Sequence, residues 1–167
     1  TLMAYPDAFV ATADDDLYYP ADWLERLVVA AAGGARIACL RAHRVVMEGD
    51  RPAGYEAWEH NIGAPEAGPL VFPTGVSGAI YAPGVFHPDV TRDDLFLRLA
   101  PGADDIWLYW MHRMAGSRPA KIGGRARILE WDGSQAVNLR AVNRPPGGQG
   151  GNDRAIAALL EHYGWPG

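Results

Sequence analysis

The residues that could do chemistry in this sequence are carboxylates, and they come in two groups. Asp14, Asp15 and Asp16 stand side by side in "ATADDDLYYPADWL". Adjacent carboxylates repel one another, and aspartate suits neither strands nor helices, so a partner outside the triplet must reward the arrangement. A divalent cation does so. Hard oxygen ligands suit Mg²⁺ or Mn²⁺, ions that keep several waters and bridge a substrate's phosphates. Asp14 and Asp16 frame a D-x-D pattern for such an ion. The competing reading is an acidic turn that caps the next helix, but Asp22 already stands where that cap is needed. The second group is Asp104 and Asp105 in "PGADDIWLYW". Acidic residues suit a helix's first turn for capping and dipole reasons alone. Held beside the apolar surface of Ile106, Trp107, Tyr109 and Trp110, such a carboxylate also gains proton affinity and can act as a general base.

Other residues carry weaker signals. Gly75, Gly78 and Gly84 in "PTGVSGAIYAPG" permit either a bulged hairpin or the close approach of a ligand. His112 falls seven residues after Asp105 on the same helical face, which fits a pocket-facing role or a core histidine. His43, His60 and His87 have no metal-ligand spacing. Arg113, Arg118, Arg125, Arg127, Arg140 and Arg144 could neutralise a diphosphate or simply solvate a surface.

The elements that must position these groups follow an α/β grammar. Residues 8–13, "AFVATA", read as a strand that delivers the acidic triplet to its end. Pro20 and Asp22 start a helix that buries Trp23, Leu24, Leu27, Val28 and Ala31 and stops at Gly33 and Gly34. "RIACLRAHRV" resumes as one strand. Residues 49–69 read as a long functional loop, "LVF" and "GAIYA" as two short strands, and "DDLFLRLAPG" as a short helix or turn. "ADDIWLYWMHRMAG" is a helix opened by the acidic pair and ended at Gly116. "RARILEW" (125–131) is a further strand, "NRPPGGQGGN" (143–152) a flexible loop, and "DRAIAALLEHYG" a closing amphipathic helix. The expected fold is a single α/β domain over 1–167, with a mixed central sheet flanked by helices.

Composition sets the outer bounds. The chain of 167 residues is 49% apolar and 21% charged, which fits a folded domain rather than a disordered one. A formal charge of −5 argues against nucleic acid as a partner. Residues 1–112 are net acidic and residues 113–167 net basic, so a half that could hold a metal precedes one that could meet an anion. The single Cys39 excludes an internal disulfide and suits a reducing compartment, where it reads as a small buried hydrophobe. No apolar run reaches membrane-spanning length, so no transmembrane segment is expected. The longest candidate, 27–40, contains two glycines and Arg36. The expected location is cytoplasmic, at most peripheral to a membrane. The chain opens at Thr1 and enters a strand almost at once, which reads as a piece whose N-terminal part is missing.

In order, "DDDLYYPADWL", "PTGVSGAIYAPG", "APGADDIWLYW" and "NDRAIAALLEHYG" resemble the nucleotide-sugar glycosyltransferases of the GT-A fold, particularly bacterial family-2-like enzymes. The resemblance covers most of the chain and corresponds to the C-terminal, metal and acceptor half of that fold. It implies inverting transfer of a sugar from a nucleotide-diphosphate donor to a glycan or other hydroxyl acceptor, assisted by Mn²⁺ or Mg²⁺, in polysaccharide or glycoconjugate synthesis. By the same resemblance, Asp14 and Asp15 lie at the donor and Asp14 and Asp16 at the metal. Asp105 is the catalytic base, with Asp104 in place of the family's usual Glu. Gly75, Gly78, Asp104 and Trp107 border the acceptor. The base should face the same cleft as the triplet, with room for a sugar ring between them. The family's nucleotide-binding stretch, which precedes the D-x-D strand, does not lie in this sequence, so the chain alone is expected to be weak or inactive.

Two other classes compete. A non-catalytic module would bind Ca²⁺ at the acidic loop and present Tyr55, Trp58 and Trp110 to a glycan. A metal-dependent phosphohydrolase would use a nucleophilic aspartate with a Thr or Lys partner, for which Lys121 alone gives little support.

Overall fold

The computed structural model describes residues 1–131 and 150–167. Its centre is a five-stranded mixed sheet in the order β1-β8-β2-β9-β6. The strands are β1 (Val10–Thr12), β2 (Ile37–Cys39), β6 (Glu66–Ala67), β8 (Ala79–Tyr81) and β9 (Ala120–Lys121). Only β2 and β9 run parallel; every other neighbouring pair is antiparallel. Two smaller ladders pair β3 (Ala42–Arg44) with β7 (Val71–Pro73) and β4 (Met47–Glu48) with β5 (Arg51–Pro52). Four helices complete the fold: α1 (Trp23–Ala32), α2 (Asp93–Leu99), α3 (Asp104–Met114) and α4 (Gly151–Tyr163). The mixed α/β class is therefore the one expected.

Helix α1 starts after Asp22 and ends at Gly33, although Asp22 makes no side-chain capping bond. Its packing face is narrower than the sequence pattern suggests. Leu27 is fully buried against the sheet beside Trp23, Ala30 and Ala31, while Leu24 and Val28 stay exposed. The main core lies elsewhere, around α3. Ile106, Trp107, Tyr109, Trp110 and Met111 are all buried there, so this helix is wrapped nearly all round by α2, α4 and the loop before β6.

Several expectations change at the level of strands. "RIACLRAHRV" is not one strand. It breaks at Leu40 and Arg41, and β2 and β3 enter different sheets. The break is stitched to the 74–78 turn, where Leu40 N–H donates to the Gly78 carbonyl at 3.2 Å. For the same reason "LVF" and "GAIYA" form no hairpin, since β7 pairs with β3 and β8 with β1 and β2. Residues 49–69 are not an open loop, because they contain β5, a 3₁₀ turn at Tyr55–Ala57 and β6, and bury Tyr55 and Trp58. "RARILEW" makes a single bridge, Leu17 with Glu130, and no strand. Of the loop expected over 143–152, residues 143–149 lie outside the described residues, while Gly151 and Asn152 already belong to α4. Among the described residues, no helix is long and apolar enough to cross a membrane.

Candidate active site

Strand β1 ends at Thr12, and the acidic triplet follows after Ala13. Asp14 and Asp16 are half-buried and Asp15 is exposed. The loop is held from two sides. The Asp14 N–H donates to the Tyr19 hydroxyl at 2.8 Å, and Tyr19 packs on Trp23 with ring centroids 4.7 Å apart. Across the loop, Tyr18 N–H donates to the Leu129 carbonyl at 2.8 Å and Trp131 N–H to the Asp16 carbonyl at 3.0 Å. The Tyr18 and Trp131 rings stack at 5.1 Å, and both are about half exposed.

The second acidic group arrives from α3. Neither Asp104 nor Asp105 is the helix cap, because Ala103 occupies that position. Asp105 reaches away from its own helix and accepts the Gly75 N–H at 2.8 Å. Gly75 is where the two groups meet. A Cβ placed on it would lie 3.2 Å from Asp105 Oδ1 and 3.8 Å from Asp14 Oδ1. Two carboxylates from residues far apart in the chain thus converge on one backbone position that carries no side chain.

Gly78 serves differently. Its φ is +91°, and a Cβ there would come within 2.9 Å of the Trp23 ring and 3.3 Å of the Thr12 carbonyl. It is buried, and its N–H closes the turn on the Gly75 carbonyl at 2.9 Å. Gly78 therefore shapes the turn that presents Gly75 and does not itself border an acceptor. Asp104 is exposed at the start of α3. Trp107 is not at the cleft. It is 3% exposed, donates from its indole to the Val90 carbonyl at 3.2 Å and packs on Phe96.

The electrostatics of the pair follow from this crowding. Burial, and then the neighbouring charge of Asp104, raise Asp105 to about 7. The Gly75 N–H and the Arg41 charge pull the other way, and Asp14 adds to the rise. Asp14 is also raised, by burial first and then by Asp16, Asp104 and Asp15. Burial is the main reason the nearby Tyr81 hydroxyl and Cys39 thiol are held protonated, with Asp105 adding to both; Cys39 is pushed to about 12, so it is inert. A carboxylate near 7 is half-ionised at neutral pH, which is the useful range for a general base. The mutual repulsion of Asp14, Asp16 and Asp104 is the cost that a divalent cation would offset. Among the described residues, no three His, Cys, Asp or Glu side chains gather as a complete metal cage. Asp14 and Asp16 are hard oxygen donors, the type that Mg²⁺ or Mn²⁺ takes beside water and phosphate oxygens.

Several candidates are absorbed by the fold instead. His112 is 1% exposed, edge-on to Tyr109, and burial lowers it to about 3. It is a neutral core residue. Arg113 is buried and donates to the carbonyls of Ser117, Pro166 and Gly167, so it is committed to the chain's C-terminal turn. Arg118, Arg125 and Arg127 are exposed, and Arg140 and Arg144 lie outside the described residues. Lys121 is 1% exposed and donates to the carbonyls of Ile122, Gly123 and Gly124, a structural use that offers a phosphohydrolase nothing. Tyr55, Trp58 and Trp110 are all buried, so the glycan-presenting surface of the binding-module reading does not exist. The exposed aromatics beside the triplet are Tyr18 and Trp131, which no periodicity singles out. Arg41 and Thr74 also reach the site without any motif to mark them. No protein-family model, no curated protein and no solved structure matches the chain.

Proposed function

We propose that the chain carries the metal and base machinery of an inverting glycosyltransferase, acting on a nucleotide-diphosphate sugar and a hydroxyl acceptor. The observation that supports this best is the convergence of Asp14 and Asp105 on Gly75, with Asp105 raised to about 7. Breaking a sugar–diphosphate bond requires stabilisation of charge on the leaving oxygen, and forming the new bond requires removal of a proton from the acceptor. Asp14 and Asp16 would hold Mn²⁺ or Mg²⁺, which supplies Lewis-acid stabilisation to the diphosphate when bound. Asp105 would take the acceptor's proton. Its carboxylate is fixed by the Gly75 N–H through one oxygen, which leaves the other oxygen for that proton. The absence of a side chain at Gly75 leaves room for the reacting groups beside both carboxylates. Exposed Asp104 adds negative charge at the acceptor side and sustains the proton affinity of Asp105.

The test is turnover. Release of nucleoside diphosphate from a panel of nucleotide sugars, with Mn²⁺ and simple hydroxyl acceptors, should be slow, as expected of this chain alone, and metal-dependent. Asp105→Asn should lower it by roughly 10²–10⁴, the usual worth of a general base. Wild-type turnover in that variant would return Asp105 to a purely structural role and overturn the reading.

A further inference from the structure

The Gly75 N–H that fixes Asp105 is itself held in place by a polar lock behind it. Thr74 is 2% exposed, an unusual burial for a hydroxyl residue next to a turn. Its N–H donates to the Arg41 carbonyl at 3.2 Å, and its Oγ1 accepts from Arg41 Nη1 at 3.0 Å. The same hydroxyl donates to the Val76 carbonyl at 3.2 Å, so both of its roles are filled. Arg41 and Thr74 thus grip each other through main chain and side chain together, where β2 breaks and β7 ends.

The consequence runs through one peptide group. The Thr74 carbonyl and the Gly75 N–H share a plane, so fixing Thr74 sets the direction in which the Gly75 N–H points. That N–H is the Asp105 partner at 2.8 Å. Arg41 also places a cation near Asp105, where its charge acts on the carboxylate. The β2–β3 break, the 74–78 turn and the start of α3 are thereby connected by hydrogen bonds alone.

We infer that Arg41 and Thr74 are positioning residues, which aim the Gly75 N–H and through it hold the Asp105 carboxylate toward Asp14. This rests on the reading of Asp105 as the base. A plain cross-link between two loops would use the same bonds but would not couple to Asp105.

The experiment separates these cases with near-isosteric variants. Thr74→Val keeps the shape and removes the hydroxyl, whereas Thr74→Ser keeps the hydroxyl. Arg41→Met removes the guanidinium, whereas Arg41→Lys keeps a cation and a donor in its place, and both serve if Thr74→Val does not fold. In Mn²⁺-dependent nucleotide-sugar turnover, Thr74→Val and Arg41→Met should lower kcat by about 10- to 100-fold, the scale of a small misplacement, with the donor KM unchanged. Thr74→Ser should restore kcat. On an Asp105→Asn background, Thr74→Val should cost nothing further, because no base remains to be aimed. Independently of activity, amide exchange of Gly75 should quicken in Thr74→Val and not in Thr74→Ser. Wild-type kcat and unchanged Gly75 exchange in Thr74→Val would overturn the inference, as would losses that multiply with those of Asp105→Asn. If instead Asp105→Asn keeps full turnover while Gly75 exchange responds as expected, the base reading fails and the lock stands as structure alone.

Discussion

Asp105→Asn should make the protein more stable at alkaline pH. Burial and the charge of Asp104 raise Asp105 from 3.8 to about 7, so the folded state holds this proton more tightly than the unfolded chain does. A raised carboxylate destabilises the fold progressively as pH climbs from about 4 to about 7, and the full cost is present above that window. At about 1.36 kcal/mol per unit, the shift corresponds to about 4 kcal/mol. The group is partly exposed, and solvent screening should leave about 2 kcal/mol of it. Asparagine keeps an oxygen for the Gly75 N–H and carries no charge, so it removes this cost without removing the bond. The assay is urea unfolding of both proteins at pH 4 and pH 8.5. The two should match at pH 4, where wild-type Asp105 is largely protonated. At pH 8.5 the variant's midpoint should lie higher by about 1 M, given a slope of about 2 kcal/mol/M for a chain of this size. An equal difference at both pH values, or a variant that is weaker at pH 8.5, would refute the argument that Asp105 is strained by its surroundings.

Gly78→Ala should be among the most damaging small substitutions, costing about 2–4 kcal/mol in denaturant unfolding, because a positive φ and contact with the Trp23 ring both oppose a Cβ. A midpoint shift below a few tenths of a unit molar urea would show that the turn relaxes freely. Trp107→Phe should cost about 1–3 kcal/mol through the lost Val90 bond and the space left beside Phe96, and should leave any acceptor KM unchanged. A raised KM without a stability change would put Trp107 back at the cleft.

The parts of this fold that show in the sequence are those set by local rules. α3 is legible because Asp104 and Asp105 open it and Gly116 follows it, and α1 because Gly33 and Gly34 stop it. The acidic triplet falls at the end of β1 as alternation and composition suggest. What the sequence hides is set at a distance. Nothing in "RIACLRAHRV" reveals that the strand must break at Arg41, because the cause is a turn more than thirty residues later whose N–H and C=O groups need partners. Trp107 and Trp110 read as candidates for ligand contact because aromatic side chains look alike whether they face a core or a cleft. Leu24 and Val28 fit the helical period of α1 and are still left outside, while Leu27, Trp23, Ala30 and Ala31 pack toward the sheet. In the site, residue types pointed to Asp14 and Asp105. The meeting point at Gly75 could not be read, because it depends on how β7 hands over to β8 in another sheet.

The proposal turns on the triplet holding a metal–diphosphate, with Asp105 beside it as the base rather than a ligand. Titration calorimetry of Mn²⁺ together with a nucleoside diphosphate tests it most directly, on wild type, Asp16→Ala and Asp105→Asn. Mn²⁺ alone should bind weakly, and the diphosphate should tighten it. Asp16→Ala should abolish the tightening, and Asp105→Asn should keep it. Tightening that survives in Asp16→Ala, or none in the wild type, would contradict it.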